Sequence, residues 1–363
     1  MKRTNICQLV LCFVLAALLG GCAAPKKQDV RILWPPPPAE SKLEWLGIYS
    51  SELDLPRTGF QQSIDKLTGS LGEQNFISPF DIVSTASGRV YVSDIHLRNV
   101  RIYDFAAGKV TDLTTGTTFK TPTGMTLDKA ENLYVTDAGH GKVMVFSPDG
   151  KYLRSFGDPE NIQKPVNIVI NDKLQRIFVA DSLQHKIFVF DLQLNSLYSI
   201  GTPGSGEGEL HVPQGMAFDS EDNLYVADYL NARVSVFTAE GKFVRMFGTR
   251  GDQIYNFEGP RDLAFDSEGN LHIVDARKGL LLTYSPQGQL LMTTGGGPEP
   301  LHPLSFGAPK GIYIDADDRI FIADQLNRRF SVFQFLSKKQ LEKHPITEAD
   351  LQRLMEFINQ PAK

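Results

Sequence analysis

The residues of this chain that could do chemistry sit at short distances from six aspartates. Asp94, Asp137, Asp181, Asp228, Asp275 and Asp324 each close a short apolar run and are followed by imidazole, guanidinium, amine or amide groups. His96 and Arg98 follow the first, His140 the second, His185 the third, and Tyr229 and Asn231 the fourth. Arg277 and Lys278 follow the fifth, Asn327 and Arg328 the sixth, and His211 and His302 precede the fourth and sixth units. Imidazoles from adjacent units could converge on a metal, and the cations could hold an anion or an acidic surface. The histidine offsets argue against the metal: two residues past the aspartate at His96, three at His140 and four at His185, whereas zinc needs three or four ligands in fixed geometry. The expectation is a binding face with no metal and no cofactor.

The aspartates themselves point to repetition rather than catalysis. Each unit opens with a proline, at Pro79, Pro122, Pro165, Pro213, Pro260 and Pro309, and the step from proline to aspartate is 15 residues in five copies and 16 in the third. A cation stands five residues past the aspartate at Lys142, Lys186, Arg233 and Arg329, while Asn99 and Leu280 depart from the pattern. The spacing predicts that the carboxylate caps its turn and pairs with the cation across it.

The elements that position these residues are clearest at 213–248. Four alternating runs, Gly215 to Asp219, Asn223 to Asp228, Arg233 to Thr238 and Lys242 to Phe247, are separated by turn residues, so the unit is a four-stranded meander. Alone it would leave open edges, and it needs copies beside it. The Pro-x-Gly-Ile-type opening, Tyr-Val-Ala-Asp-type second strand and Asn-x-Arg-Val-type third strand resemble the NHL repeat over residues 76–336. The chain thus resembles the NHL-repeat six-bladed β-propeller lipoproteins of bacteria. The resemblance implies an all-β fold, a six-bladed β-propeller of NHL/TolB-like type. The sixth unit lacks a fourth strand, and the isolated run Leu43 to Ser50 is expected to supply it, so that the propeller spans 43–336.

In propellers of this kind the second-to-third-strand loops and the interblade loops share the face around the channel, which would gather the candidate residues there. Similar peptidyl-amidoglycolate lyases carry zinc-binding histidines directly after the opening proline; here those positions are Phe80, Thr123, Val166, Gln214, Arg261 and Lys310. Gluconolactonase-like propellers use carboxylates and amides at a central calcium, and no inward acid set beyond the repeat aspartates is evident. The glycine-rich stretch Gly201 to Gly208 has no Lys-Ser/Thr after it and reads as a flexible interblade loop, not a phosphate cradle.

The amino terminus reads as a processing signal. Lys2 and Arg3, the apolar run Ile6 to Leu18, and Leu19-Gly20-Gly21-Cys22 resemble a lipoprotein signal peptide over 1–21, with lipidation at Cys22. Ala23 favours the outer membrane. Cys7 and Cys12 lie in the removed segment, which leaves no disulfide and no cysteine-based metal or haem site. Residues 22–42, with four consecutive prolines, read as an extended tether. A short helix is expected near 58–68, and the 337–363 extension should carry a helix at 347–359 opened by Thr347. The formal net charge is −5, and loss of the leader with its two basic residues makes it more negative, which disfavours nucleic acid.

The function that follows is a lipid-anchored, extracytoplasmic binding or scaffold module at the cell envelope. Its partner would be an envelope protein or polysaccharide met by the channel-mouth loops. The alternative is a metal-dependent lyase or hydrolase with its site in the central channel.

Overall fold

The computed structural model describes residues 30–55, 75–113, 116–157, 162–296 and 302–359. The leader, Cys22 and the helix expected near 58–68 lie outside the described residues. Two units are distinguished, one of Leu33–Pro345 and one of the flanking segments.

The first unit is a six-bladed propeller. Its inner strands are Pro79–Ser84, Pro122–Leu127, Pro165–Asn171, Pro213–Phe218, Pro260–Phe265 and Pro309–Ile314, each the first strand of an antiparallel meander. Turn chemistry sets the hairpins. In blade four, Asp219 Oδ1 accepts the amides of Glu221 and Asn223, and the Asn223 side chain returns a hydrogen bond to Oδ2. The same Asp-to-Asn clasp recurs at Asp128–Asn132, Asp191–Asn195 and Asp266–Asn270. Three second strands, Leu133–Asp137, Leu224–Asp228 and Leu271–Asp275, are buried along their whole length, and the other three from their second residue on, because both of their faces pack on neighbouring blades. Phe178 and Val189 of blade three, for example, share a core with Met216, Val226 and Phe237 of blade four.

Closure follows the expected route. Leu43–Tyr49 pairs antiparallel with Arg329–Phe335, with Leu43 opposite Phe335 and Tyr49 opposite Phe330. Tyr49 then stacks on Phe330 at 5.0 Å and meets Phe105 of blade one edge-on at 4.9 Å. A further short strand ending at Trp34 lies outside Leu43–Tyr49. Leu33 is buried and Trp34 Nε1 donates to the Thr293 carbonyl, so the expected tether over 22–42 is corrected from Leu33 onward, where the chain, its four prolines included, belongs to the propeller unit.

All six repeat aspartates are fully buried. Each carboxylate accepts amides from the segment just before its blade's opening proline, as Asp94 does from Ile77 and Ser78, and Asp324 from Gly307 and Ala308. It thereby ties the interblade loop to the second-to-third-strand turn. The expected cation pairs form at Asp228–Arg233, 2.9 Å, and more loosely at Asp324–Arg329, 3.9 Å. Lys142 and Lys186 face their aspartates only as strand partners among the described residues.

One loop departs from expectation. Gly201–Gly208 is not a free loop: Thr202–Pro203 pairs with Glu209–Leu210, and the Arg233 guanidinium donates to the carbonyls of Ser205, Gly206 and Glu209. The cation that pairs with Asp228 also fixes this loop, which glycine content alone does not disclose.

Beyond the last blade strand, Ser337 caps the short helix Lys338–Lys343. In the second unit the helix Glu348–Ile358 forms as expected, with Thr347 and Asp350 completing a reciprocal cap. Among the described residues no helix is long and apolar enough to cross a membrane.

Candidate functional site at the channel mouth

The inner strands bring two rings of residues to the channel. The first residue after each opening proline gives Phe80, Thr123, Val166, Gln214, Arg261 and Lys310; the second gives Asp81, Gly124, Asn167, Gly215, Asp262 and Gly311. The second ring alternates a polar side chain with glycine. Packing explains the alternation: a Cβ on Gly215 would lie 1.8 Å from Asp262 Oδ1, one on Gly311 2.4 Å from Asp81 Oδ1, and one on Gly124 2.5 Å from Asn167 Cα. Asp81 and Asp262 lean their carboxylates into space left by the glycine of the preceding blade, and at Gly124 the backbone of Val166 and Asn167 takes that space. The aspartates also reach forward, Asp81 Oδ2 accepting the Met125 amide at 2.6 Å and Asp262 Oδ2 that of Ile312 at 2.9 Å. Each carboxylate thus links three blades.

Asp81, Asn167 and Asp262 line one small cavity with Phe80, Val166, Gln214, Arg261 and Lys310, enclosing about 10 Å³. That is room for a single water or ion. Burial raises the Asp81 carboxyl to about 7, and burial together with the Asp81 charge pushes Asp262 well above the carboxylate range. Two such acids either share a proton, so that only one ionises, or both ionise with a cation between them. Asn167, 8% exposed, has an Oδ1 with no hydrogen-bond partner. Two carboxylates and an orphaned amide oxygen, all hard donors, fit a calcium- or magnesium-like ion whose remaining positions are filled by water. The sequence reading of no inward acid set is therefore corrected. The signal was present in the chain, as the Asp, Gly, Asn, Gly, Asp, Gly alternation two residues past each proline, but it is visible only when the copies are compared at that one column.

Above these acids the first ring is divided. Phe80, Thr123 and Val166 occupy blades one to three, and Gln214, Arg261 and Lys310 blades four to six. Arg261 lies over the Tyr229 ring, 4.0 Å from its centroid, and its Nη1 donates to Gln214 Oε1 at 2.7 Å. Burial lowers the Lys310 amine to about 8, with the Arg261 charge adding to the effect.

The face predicted from the loops is distributed differently. Tyr229 touches Arg261, and Arg277 stands over the same ring at 5.8 Å, so these two join the channel mouth. Most of the others serve the turns. The backbone amides of His96 and Arg277 donate to their repeat aspartates, as do His140 Nδ1, at 2.9 Å, and the side chains of Asn231 and Asn327. Arg98, His185 and Arg328 occupy left-handed positions, φ 56°, 57° and 53°, four residues past the aspartate. Lys278 donates to the Gln253 carbonyl. His185 and His211 meet edge-on, with ring centroids 5.2 Å apart, and His185 Nδ1 accepts the Val212 amide. Among the described residues no three His, Cys, Asp or Glu converge as a metal group.

Residues 159–256, which hold blades three and four, match the family model described as SMP-30/Gluconolactonase/LRE-like region. No curated protein sequence matches the chain significantly. Among solved structures, a gluconolactonase from Xanthomonas campestris is 17% identical, TM-score 0.56, over 80% of this chain and 98% of that one. Virginiamycin B lyase from Staphylococcus aureus with quinupristin is 14% identical, TM-score 0.55, over 73% and 83%. A protein of unknown function from Bacteroides thetaiotaomicron is 18% identical, TM-score 0.59, over 81% and 75%. At such identities the likeness is one of fold.

Proposed function

We propose that the protein is a propeller-type hydrolase or lyase acting on a small molecule at the channel mouth, with a hard divalent cation held by Asp81, Asn167 and Asp262. The observation that carries this reading is the pair of buried carboxylates sharing a cavity with an unpartnered amide oxygen. The partial family match and the gluconolactonase and lyase folds support it. A bound cation would supply Lewis acidity toward a substrate carbonyl. The chain's own residues do the holding: backbone amides fix Asp81 and Asp262 in place, and the narrow inner ring limits access to the end of a ligand. Arg261 and Lys310 present positive charge at the opening.

The test is elemental analysis of the purified chain with thermal shifts in calcium and magnesium, followed by turnover of gluconolactone and quinupristin. Stoichiometric cation that stabilises the wild type but not Asp262→Asn, with turnover lost in that variant, is the expected result. Absence of both cation binding and turnover sinks the reading.

A binding module for an envelope protein or polysaccharide is the second reading. It is favoured by the exposed tips Leu183, Leu230 and Leu326, each two residues past a repeat aspartate, beside the candidate residues of the loop face. In either case the lipobox leading to Cys22 supports attachment at the cell envelope, with the outer membrane as its site. Cys22→Ala should release the protein from the membrane fraction, and retention there would remove the anchor from both readings.

A further inference from the structure

We propose that the open cleft between blades one and two, on the face of the second-to-third-strand loops, binds an acidic sugar, a hexuronate whose carboxylate is held by Arg98 and Lys120. The inference deepens the second reading, binding of an envelope polysaccharide, and rests on it for the source of the sugar. It does not depend on a cation in the channel.

The cleft measures about 670 Å³, within the usual span of small-molecule sites. Its floor is apolar, made by the buried Leu113 and Phe119, and the Phe146 ring holds Phe119 in place at 5.6 Å. Arg98 and Lys120 stand exposed at its rim, and no carboxylate is among the residues that line it. Among the described residues neither cation forms an ion pair. Packing sets where the lysine stands: a Cβ on Gly139 would come within 2.7 Å of Lys120 Cγ, so the glycine admits the stem, while the Lys120 amide donates to Asp137 at 2.7 Å. The matching positions at the junction of blades three and four are His185 and His211. There the two rings meet edge-on with centroids 5.2 Å apart, and His185 Nδ1 accepts the Val212 amide, so the side chains are spent on the protein itself. At Arg98 and Lys120 the same two places carry like charges with no acid to separate them, and an anion shared by both satisfies them. A planar carboxylate suits the guanidinium fork. The rest of the ligand follows from the neutral groups. Asp137 takes the Nδ1 proton of His140 at 2.9 Å, which leaves Nε2 to accept a hydroxyl. Thr118 offers a hydroxyl and Asn99 an amide, which together match a ring bearing several hydroxyl groups, and Leu113 and Phe119 receive its C–H face. A phosphate would use the two cations and leave these neutral groups idle. Because the chain as a whole is acidic, it exerts no general pull on an acidic polymer, and recognition rests on these contacts.

The experiment titrates the whole purified chain with galacturonate, galactose and inorganic phosphate by ligand-observed NMR. Galacturonate should bind in preference to the other two, since galactose lacks the charge and phosphate the ring. Arg98→Met and Lys120→Met should each weaken it about tenfold or more, the effect of losing a charge-assisted hydrogen bond. Thr118→Trp, which fills the cleft and leaves its charge, should abolish binding, while Lys129→Met, at an exposed lysine outside the cleft, should leave it unchanged. Protection of the Lys120 amine from acylation by galacturonate, read by mass spectrometry on the unsubstituted chain, provides a measure that needs no variant to fold. Absence of galacturonate binding or of protection, unchanged affinity in both Met variants, binding that survives Thr118→Trp, or tighter binding of galactose or phosphate would overturn the proposal. Retention on immobilised polygalacturonate and on isolated envelope polysaccharide separates the site from the reading it rests on. Galacturonate bound through Arg98 and Lys120 by a protein that neither polymer retains would uphold the site and remove the polysaccharide as its source. Retention that is indifferent to Arg98→Met and Lys120→Met would do the reverse.

Discussion

Asp262 occupies the space that Gly215 leaves open: a Cβ on the glycine would stand 1.8 Å from Asp262 Oδ1. Gly215→Ala should therefore displace the carboxylate or force the two inner strands apart, at a cost of about 1–3 kcal/mol, the usual range for overpacking a well-filled site. Chemical denaturation measures it. An unchanged midpoint would mean that Asp262 has another place to go and that the alternation around the channel is not a packing requirement.

The repeat aspartates carry a different load. Asp228 is fully buried, accepts the His211 amide and the Asn231 side chain, and pairs with Arg233 at 2.9 Å. Asp228→Ala leaves the buried Arg233 charge without its carboxylate and the His211 amide without its acceptor, so the loss should be about 3–5 kcal/mol. Lys42–Glu40, an exposed pair, should contribute about 0–1 kcal/mol by comparison. Equal effects of Asp228→Ala and Glu40→Ala on the unfolding free energy would contradict the stitching role.

These contrasts show which features a single chain discloses. The six prolines, the six aspartates and the strand missing from the last blade are each local patterns, and blade number and closure follow from them. The aspartate's role was half legible: the turn it caps lies within a few residues, but the amides of Ile77 and Ser78 that it also receives lie 17 and 16 residues away. The site was harder. Histidines and cations in the loops drew attention by residue type, yet Asn231, Asn327 and His140 are spent on their own turns. Asp81 and Asp262 sit at a strand position that is glycine in three of the six copies, and their meaning appears only when blades one and five close on a common channel. The order of Gly201–Gly208 was missed for a related reason, since it comes from three hydrogen bonds donated by Arg233, some 25 residues downstream.

Closure gives a third prediction. Leu43 is buried in the sixth blade, and Tyr49 stacks on Phe330 and meets Phe105 edge-on, so deleting residues 42–50 removes a strand and bares the edge of Arg329–Phe335. The melting temperature should fall sharply and the protein should tend to associate. If the truncated chain melts where the full chain does, the sixth blade does not depend on its borrowed strand.

Lys310 should report the cost of a charge kept ready at the mouth. Its amine ionises at about 8 in the folded chain against 10.5 for an ordinary lysine, because burial and the Arg261 charge disfavour the ammonium. Below pH 8 both folded and unfolded chains carry the proton, and the folded state bears the full penalty. Between about 8 and 10.5 the folded chain has released a proton that the unfolded chain retains, so stability gains with rising pH. Above that range neither form is charged and the penalty is gone. Lys310→Met, which removes the charge and keeps the length, should therefore melt higher than wild type at pH 7, and the difference should shrink to nothing by about pH 10.5. Paired melts at pH 7, 9 and 10.5 would read it directly, since every other titrating group is common to both proteins. A gap of constant size across that range would place the benefit in packing rather than in the relieved charge.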